Sequence, residues 1–289
     1  DIERDRDNRL LYLSQQEYIE KILKRFSEYE LKPFATPLAV NHKLTLPADD
    51  DDPLPGQERY PELVGCLMYL MVCTRPDLAH SLSVLGRFVA PGIHGSTHWQ
   101  AALRVLGYVQ HTKGFKLTLG GDGSVLEGFT DASWADTLPD RRSSQGYCFT
   151  LGSGAISWRA NKSPSVALST CEAELYAGTA AAQELLWLKR MLAELRVPTP
   201  NPVLWCDNKS TIALTQDPVY SARSKHIEAR YHFLRELTQQ GQLTAKHIPI
   251  DDNVADVFTK PLLRERHYEL ITLLGLTGTV SASRGCVEE

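Results

Sequence analysis

The sequence predicts an α/β protein in which a helical unit precedes a mixed β-sheet with helices on its faces. Three observations carry that prediction. Apolar residues recur at helical spacing from Tyr18 to about Val109. From about Leu117 the pattern changes to short stretches rich in β-branched and aromatic residues, separated by turn signals. Beyond Val203, strand-like and helix-like stretches alternate, which places all the strands in one sheet.

In chain order, "LSQQEYIEKILKRF" reads as a helix with a capping box, Ser14 at N-cap and Glu17 at N3, and with Leu13 and Tyr18 placed as a staple. Two proline-rich, turn-like stretches follow, and Asp49–Asp52 reads as a solvated linker. Helices are then predicted from about Pro61 to Cys73, from near Pro76 with Leu78, Leu82, Leu85 and Phe88 on one side, and after Thr97 with Trp99, Leu103, Leu106 and Val109. "SVLEGFT", "SSQGYCFTL" and "AISWRAN" read as strands. A long helix runs from about Thr170 to Leu195, followed by the strand "VLWC" and a helix from Ser210. A basic helix around 225–239, the strand "QLTAKHIPI" and a final helix from Asp252 complete the pattern.

Composition narrows the function classes. The chain is 43% hydrophobic and 23% charged, as expected of a soluble globular protein, and its longest apolar run, Leu63 to Cys73, is shorter than the ~20 residues that span a bilayer. No signal peptide is recognisable, so no membrane partner is expected. Six cysteines without a C-x-x-C pair argue against zinc and against a disulfide framework. The first residue is Asp and the first Met is Met68, which is expected of a piece of a longer polyprotein. Net charge is −4, yet Val219–His247 carries five Lys/Arg and three His against two acids. That segment is either a solvated helix face or a grip on phosphates.

Four acidic positions fall where strand ends meet helix starts, the places at which α/β sheets gather their sites. Asp131 closes the strand "LEGFT", Glu172 and Glu174 lie in the first turn of the long helix, Asp207 closes "VLWC", and Asp256 lies in the first turn of the final helix. Each alone is explained by a turn, an N-cap or the positive end of a helix. Together they point to a metal centre. Clustered carboxylates repel and raise one another's pKa, and hard oxygen ligands select Mg²⁺ or Mn²⁺.

The motifs "GFTDASWAD", "SWRANKSPSVALSTCEAELYAG", "WCDNKSTIAL", "SKHIEARYHFLRE" and "HIPIDDNVADVFTKPL" resemble the ribonuclease H domain of a copia-type LTR retrotransposon reverse transcriptase, over about residues 122–263. Upstream, "YLSQQEYIEKILKRF" and "YPELVGCLMYLMVCTRPDLAHS" are similar to the thumb of the same polymerase. The resemblance implies a ribonuclease H-like five-stranded mixed sheet with helices on both faces, behind a small all-helical thumb-like unit. It implies three segments: 1–116 for the end of the palm and the thumb-like region, 117–263 for the ribonuclease H domain, and 264–289 for a C-terminal helix and flexible tail. The Asp, Glu, Asp, Asp order of such enzymes matches Asp131, Asp207 and Asp256 at the first, third and fourth places. The second falls on Glu174, whose "ELYA" context fits the family pattern, with Glu172 as the alternative.

The activity implied is endonucleolytic hydrolysis of the RNA strand of an RNA–DNA hybrid with two Mg²⁺ ions, Mn²⁺ substituting, and with 3′-hydroxyl and 5′-phosphate products. By resemblance Asp131 bridges both ions, Asp256 holds the water-side ion, and Glu174 with Asp207 hold the other. Partners implied are the hybrid and the fingers and palm of the parent polyprotein, in a cytoplasmic particle or the nucleus. Arg223, Lys225, His226 and Arg230 are the candidate phosphate contacts, with Asn161 and Lys162, expected in a turn near the long helix, as further candidates. Trp134 and Trp158 read as packing residues. The chain departs from the family in two respects. No His loop precedes the last Asp, since His247 falls within a strand, and the Tyr-x-Asp-Asp polymerase motif is absent. An inert or domesticated remnant that binds nucleic acid or a partner is the alternative. An integrase is disfavoured because integrases place their glutamate last.

Overall fold

A computed structural model describes residues 1–40, 43–47, 52–121, 125–137, 140–216 and 228–280. Its elements run β1 (Ile2–Asp5), β2 (Leu10–Leu13), α1 (Gln16–Arg25), α2 (Tyr60–Cys73), α3 (Ala79–Leu85), α4 (Ser96–His111), β3 (Lys116–Gly120), β4 (Leu126–Ser133), β5 (Ser144–Leu151), β6 (Gly154–Lys162), α5 (Thr170–Glu194), β7 (Val203–Cys206), α6 (Lys209–Gln216), α7 (Glu228–Gln239), β8 (Thr244–His247), α8 (Arg264–Leu273) and β9 (Leu276–Thr277). Two compact units result. Residues 1–118 join those from Lys260 onward, and Leu119–Thr259 form the second unit. The last helix therefore belongs to the first unit, although the sequence reading sets 264–289 apart. Residues 281–289 of the expected C-terminal segment and most of the aspartate run lie outside the described residues.

In the first unit the helical periodicity works as the sequence predicts. Ile19 and Ile22 of α1 with Phe26 at its C-cap, Leu63, Leu67 and Leu70 of α2, Leu82 and Leu85 of α3, and Trp99, Val105 and Leu106 of α4 share one buried core. Two details differ. The capping box does not form: helix α1 starts one residue late for Ser14, whose backbone is claimed by Asp1 through N–H···O and N⁺–H···O bonds of 3.0 and 2.7 Å. Nor is the unit all-helical. Strands β1, β2, β3 and β9 form a four-stranded sheet that joins residues from both ends of the chain.

A buried polar network ties α8 into this unit. The Arg75 guanidinium grips Asp77 at 2.7 and 2.9 Å and donates to the Thr112 hydroxyl at 2.7 Å. Tyr108 spends its one hydroxyl proton on Asp77 at 2.7 Å, so the 2.9 Å contact to His267 is a bond donated by Nε2–H. Burial works against the Asp77 charge, but Arg75 overcomes it and holds the carboxyl below the usual carboxylate range. Burial also pushes His267 down to about 4, so it is neutral at pH 7.

The second unit is built on a sheet ordered β6-β5-β4-β7-β8. Strands β6, β5 and β4 are antiparallel, and β7 and β8 run parallel to β4. Tyr147 and Phe149 of β5 point to the face where Leu175, Leu185 and Leu188 of α5 meet Leu234 and Leu237 of α7. Gly146 points the other way, because side chains alternate across a strand. There it meets Phe258 of a 3-10 turn, Val254–Phe258. This is the ribonuclease H-like α/β arrangement that the resemblance implies.

One helix boundary differs. The final helix expected from Asp252 is instead two short 3-10 turns, Ile250–Asp252 and Val254–Phe258, before α8 begins at Arg264. Pro261 accounts for the break, because the residue before a proline is pushed out of the helical region.

Candidate metal centre

The centre lies wholly within the second unit. Asp131 does not close its strand as expected: β4 continues to Ser133, and Asp131 pairs in register with Gly146 of β5. The long partner strand holds the ladder together past the carboxylate. Asp207 follows the last residue of the parallel neighbour β7, and Asp256 sits in the 3-10 turn on the far side of β5. One carboxylate oxygen from each of Asp131, Asp207 and Asp256 lies within 4.8 Å of the others. Asp131 and Asp256 are 4% and 3% exposed, while Asp207 is partly open. Burying several carboxylates this close together is unfavourable, and their all-oxygen donor set fits a hard divalent cation.

The two glutamates are separated by their partners. Glu174 reaches the sheet: its Oε1 accepts from the Ala132 N–H at 3.1 Å, and its Oε2 accepts from the Cys206 thiol at 3.8 Å. Burial, then the charges of Asp131 and Asp207, push its carboxyl well above the usual range. Glu172 turns away. Its carboxylate accepts from the Tyr176 hydroxyl at 2.5 Å and the Leu168 N–H at 2.7 Å, closing the start of α5 behind the Ser169 cap.

Two residues that the sequence reading missed position these acids. Asn253 is fully buried. Its Oδ1 accepts from the Ala255 N–H at 3.1 Å and its Nδ2 donates to the Thr130 carbonyl at 3.0 Å, which caps the Asp256 turn and ties it to β4. Thr259 donates its hydroxyl to Asp131 Oδ2. Asn253 falls inside the helix expected from Asp252, although an Asn is itself a legible cap signal for a turn that starts at the next residue. Nothing local marks Thr259, which lies 128 residues from Asp131.

The other candidates scatter. Asn161 and Lys162 lie in β6 rather than in a turn, because the β5–β6 ladder extends to pair Lys162 with Ser144. Lys162 binds Asp140 at 2.8 Å, and the Asn161 side chain donates to the Lys162 carbonyl at 3.1 Å. Neither belongs to the acid cluster. Arg230 of α7 stacks its guanidinium 4.3 Å from the centre of the Tyr176 ring. Arg223, Lys225 and His226 lie outside the described residues. Trp134, expected to pack, is 49% exposed, its indole N–H donating to the Ala167 carbonyl at 2.9 Å. His247 ends β8 with an exposed side chain.

Comparison with known proteins places the chain in a family. The retrovirus-related Pol polyprotein from transposon TNT 1-94 of Nicotiana tabacum is 40% identical over 279 residues, 95% of this chain and 21% of the polyprotein. The Pol polyprotein from transposon RE2 of Arabidopsis thaliana is 38% identical over 258 residues, 88% of this chain and 17% of that one. The chain belongs to the copia-type retrotransposon Pol family. It spans about a fifth of the length of these Pol polyproteins. Among solved structures, LC11-RNase H1 in complex with an RNA/DNA hybrid is 15% identical, with a TM-score of 0.36 over 46% of this Pol chain and 93% of that protein. No family model matches the chain. No helix among the described residues is long and apolar enough to cross a membrane.

Proposed function

We propose that this Pol segment is an endoribonuclease that hydrolyses the RNA strand of RNA–DNA hybrids. The observation that carries the reading is the convergence of Asp131, Asp207 and Asp256 within 4.8 Å, with Glu174 against the same sheet. Their separation in the chain makes a merely local role for all four insufficient. Asp131, Glu174, Asp207 and Asp256 are the residues that would hold a pair of Mg²⁺ ions. Bound there, the cations would activate a water and stabilise the leaving oxygen of the phosphodiester.

The chain's own residues supply the rest. Thr259 fixes one oxygen of Asp131, and Asn253 holds the Asp256 turn against β4, so the carboxylates are positioned before any substrate arrives. Glu174 is held by a backbone N–H and a thiol, leaving it oriented toward Asp207. The basic stretch with Arg223, Lys225, His226 and Arg230 is assigned to the phosphate backbone, where contacts position a substrate without reading its sequence.

The test is direct. The purified chain is incubated with a labelled hybrid and Mg²⁺ beside Asp131→Asn. Cleavage to 5′-phosphate products, lost in the variant, is expected. A wild-type chain that leaves the hybrid intact at every Mg²⁺ and Mn²⁺ concentration would mean an inert remnant.

A further inference from the structure

The exposed Trp134 stands on a fixed platform beside the acids. Its indole N–H is given to the Ala167 carbonyl at 2.9 Å, so the ring is anchored and keeps no donor for a ligand. Around that anchor the chain alternates: Ala167 is buried, while Val166 and Leu168 face outward, 48% and 74% exposed. The Glu172 carboxylate holds the Leu168 N–H at 2.7 Å. Ala135, next after Trp134, takes a left-handed φ of 53° and donates its N–H to Ser143 Oγ at 3.2 Å, a turn that the surroundings impose. Three large apolar side chains are thus held open to solvent around one buried residue, where single scattered ones would be ordinary.

Their position says what covers them. Ala167 packs with Ala132, Ala173 and Tyr176, and two of these, Ala132 and Ala173, are the chain neighbours of Asp131 and Glu174. Trp134 follows Asp131 by three residues, so their Cα atoms are at most about 11 Å apart. A nucleic acid advances ~3.4 Å per nucleotide, so a strand cut at the acids places further nucleotides within that span. Across Tyr176 lies a cation: the Arg230 guanidinium stacks 4.3 Å from the centre of that ring.

Chemistry then divides the ligand. Phosphates need cations or N–H donors, which Arg230 offers and the Trp134 surface does not. A flat ring whose N–H is consumed can take only the apolar parts of a nucleotide, its sugar and the face or edge of its base. We propose that Trp134, with Val166 and Leu168, is a positioning surface for the sugars and bases of the RNA–DNA hybrid, within about three nucleotides of the scissile bond. This rests on the reading given under Proposed function. It adds a contact that holds any sequence equally, because the indole makes no hydrogen bond to a base.

Binding of a labelled hybrid to the full chain, with Ca²⁺ in place of Mg²⁺ and strand integrity checked on a gel, tests the surface apart from cleavage. Trp134→Ala is expected to weaken binding at least about fivefold, equally on hybrids of different sequence, and to leave the salt slope unchanged. Trp134→Phe, which keeps a flat ring, should bind more tightly than Trp134→Ala. Leu168→Ser leaves the indole anchor in place and should weaken binding as well. Trp187→Ala is the control: that residue is 55% exposed on α5, about 20 Å along the helix from Glu174, and its loss should change nothing. In Mg²⁺, Trp134→Ala should raise KM more than it lowers kcat. Wild-type affinity in Trp134→Ala or in Leu168→Ser overturns the proposal, as does a reduced salt slope, an equal loss in Trp187→Ala or a wild type that binds no hybrid. So does self-association of the chain that Trp134→Ala abolishes while hybrid affinity stays. Cleavage that persists with the surface removed and affinity intact would sink this inference alone. A wild type that binds through Trp134 but never cleaves would sink the nuclease reading and leave the surface standing.

Discussion

At the scale of single residues, the division of labour between Glu172 and Glu174 is decided by what each touches. Glu172 accepts two hydrogen bonds that close the start of α5, so Glu172→Ala is expected to cost about 1–3 kcal/mol, read as a lower denaturation midpoint. Glu174→Gln should leave stability intact and remove metal affinity, measured by Mn²⁺ binding. Glu174 also sets a pH dependence. Its folded-state carboxyl is raised above its unfolded value, so its contribution is fully present below the unfolded value near ~4.3 and is lost as pH rises through the folded value. The metal-free protein should therefore melt higher at pH 5 than at pH 8, and Glu174→Gln should shrink that difference. An equal difference in the variant would assign the pH effect elsewhere.

At the scale of elements, the Asp256 turn is held by its fit against the sheet. A Cβ on Gly146 would lie 2.4 Å from the Phe258 Cβ, a clash that no terminal side-chain rotation relieves. Gly146→Ala should cost about 1–3 kcal/mol and lower cleavage more than Km, since it displaces the turn that carries Asp256. Asn253→Ala removes the cap and the bond to β4 together. A loss of about 1–2 kcal/mol with weakened Mn²⁺ affinity is expected, and full affinity would show that the turn is fixed by packing alone. In the basic stretch, Arg223→Ala with Lys225→Ala should weaken hybrid binding and reduce its salt slope by about two.

At the scale of the whole molecule, the chain is two units, and the first depends on its buried ion pair. Asp77→Asn would leave Arg75 uncompensated, at about 3–5 kcal/mol, seen in chemical denaturation. His267 gives that unit an acid limit. Its value falls from 6.5 to about 4 on folding, so its contribution is complete above 6.5 and is lost as pH drops toward 4. Hydrogen exchange of α8 should accelerate over that window, and His267→Phe should blunt the effect.

The sequence by itself determined the elements and the acids. Helical and alternating periods mark α2, α3, α4, α5 and the sheet strands, because burial of one face imposes those spacings on the chain itself. Asp131, Glu174, Asp207 and Asp256 were legible from the motifs that carry them, although Asp131 lies within β4 and Asp256 in a 3-10 turn instead of at the strand end and helix start expected of them. What the sequence left open was decided by contacts between distant segments. Glu174 separates from Glu172 through Ala132 and Cys206, Thr259 meets Asp131 across 128 residues, and α8 joins the first unit through Tyr108. The start of α1 and the break after Phe258 followed strand pairing and a proline rather than the local pattern. Local spacing reports which face is buried, and only the folded chain reports against what.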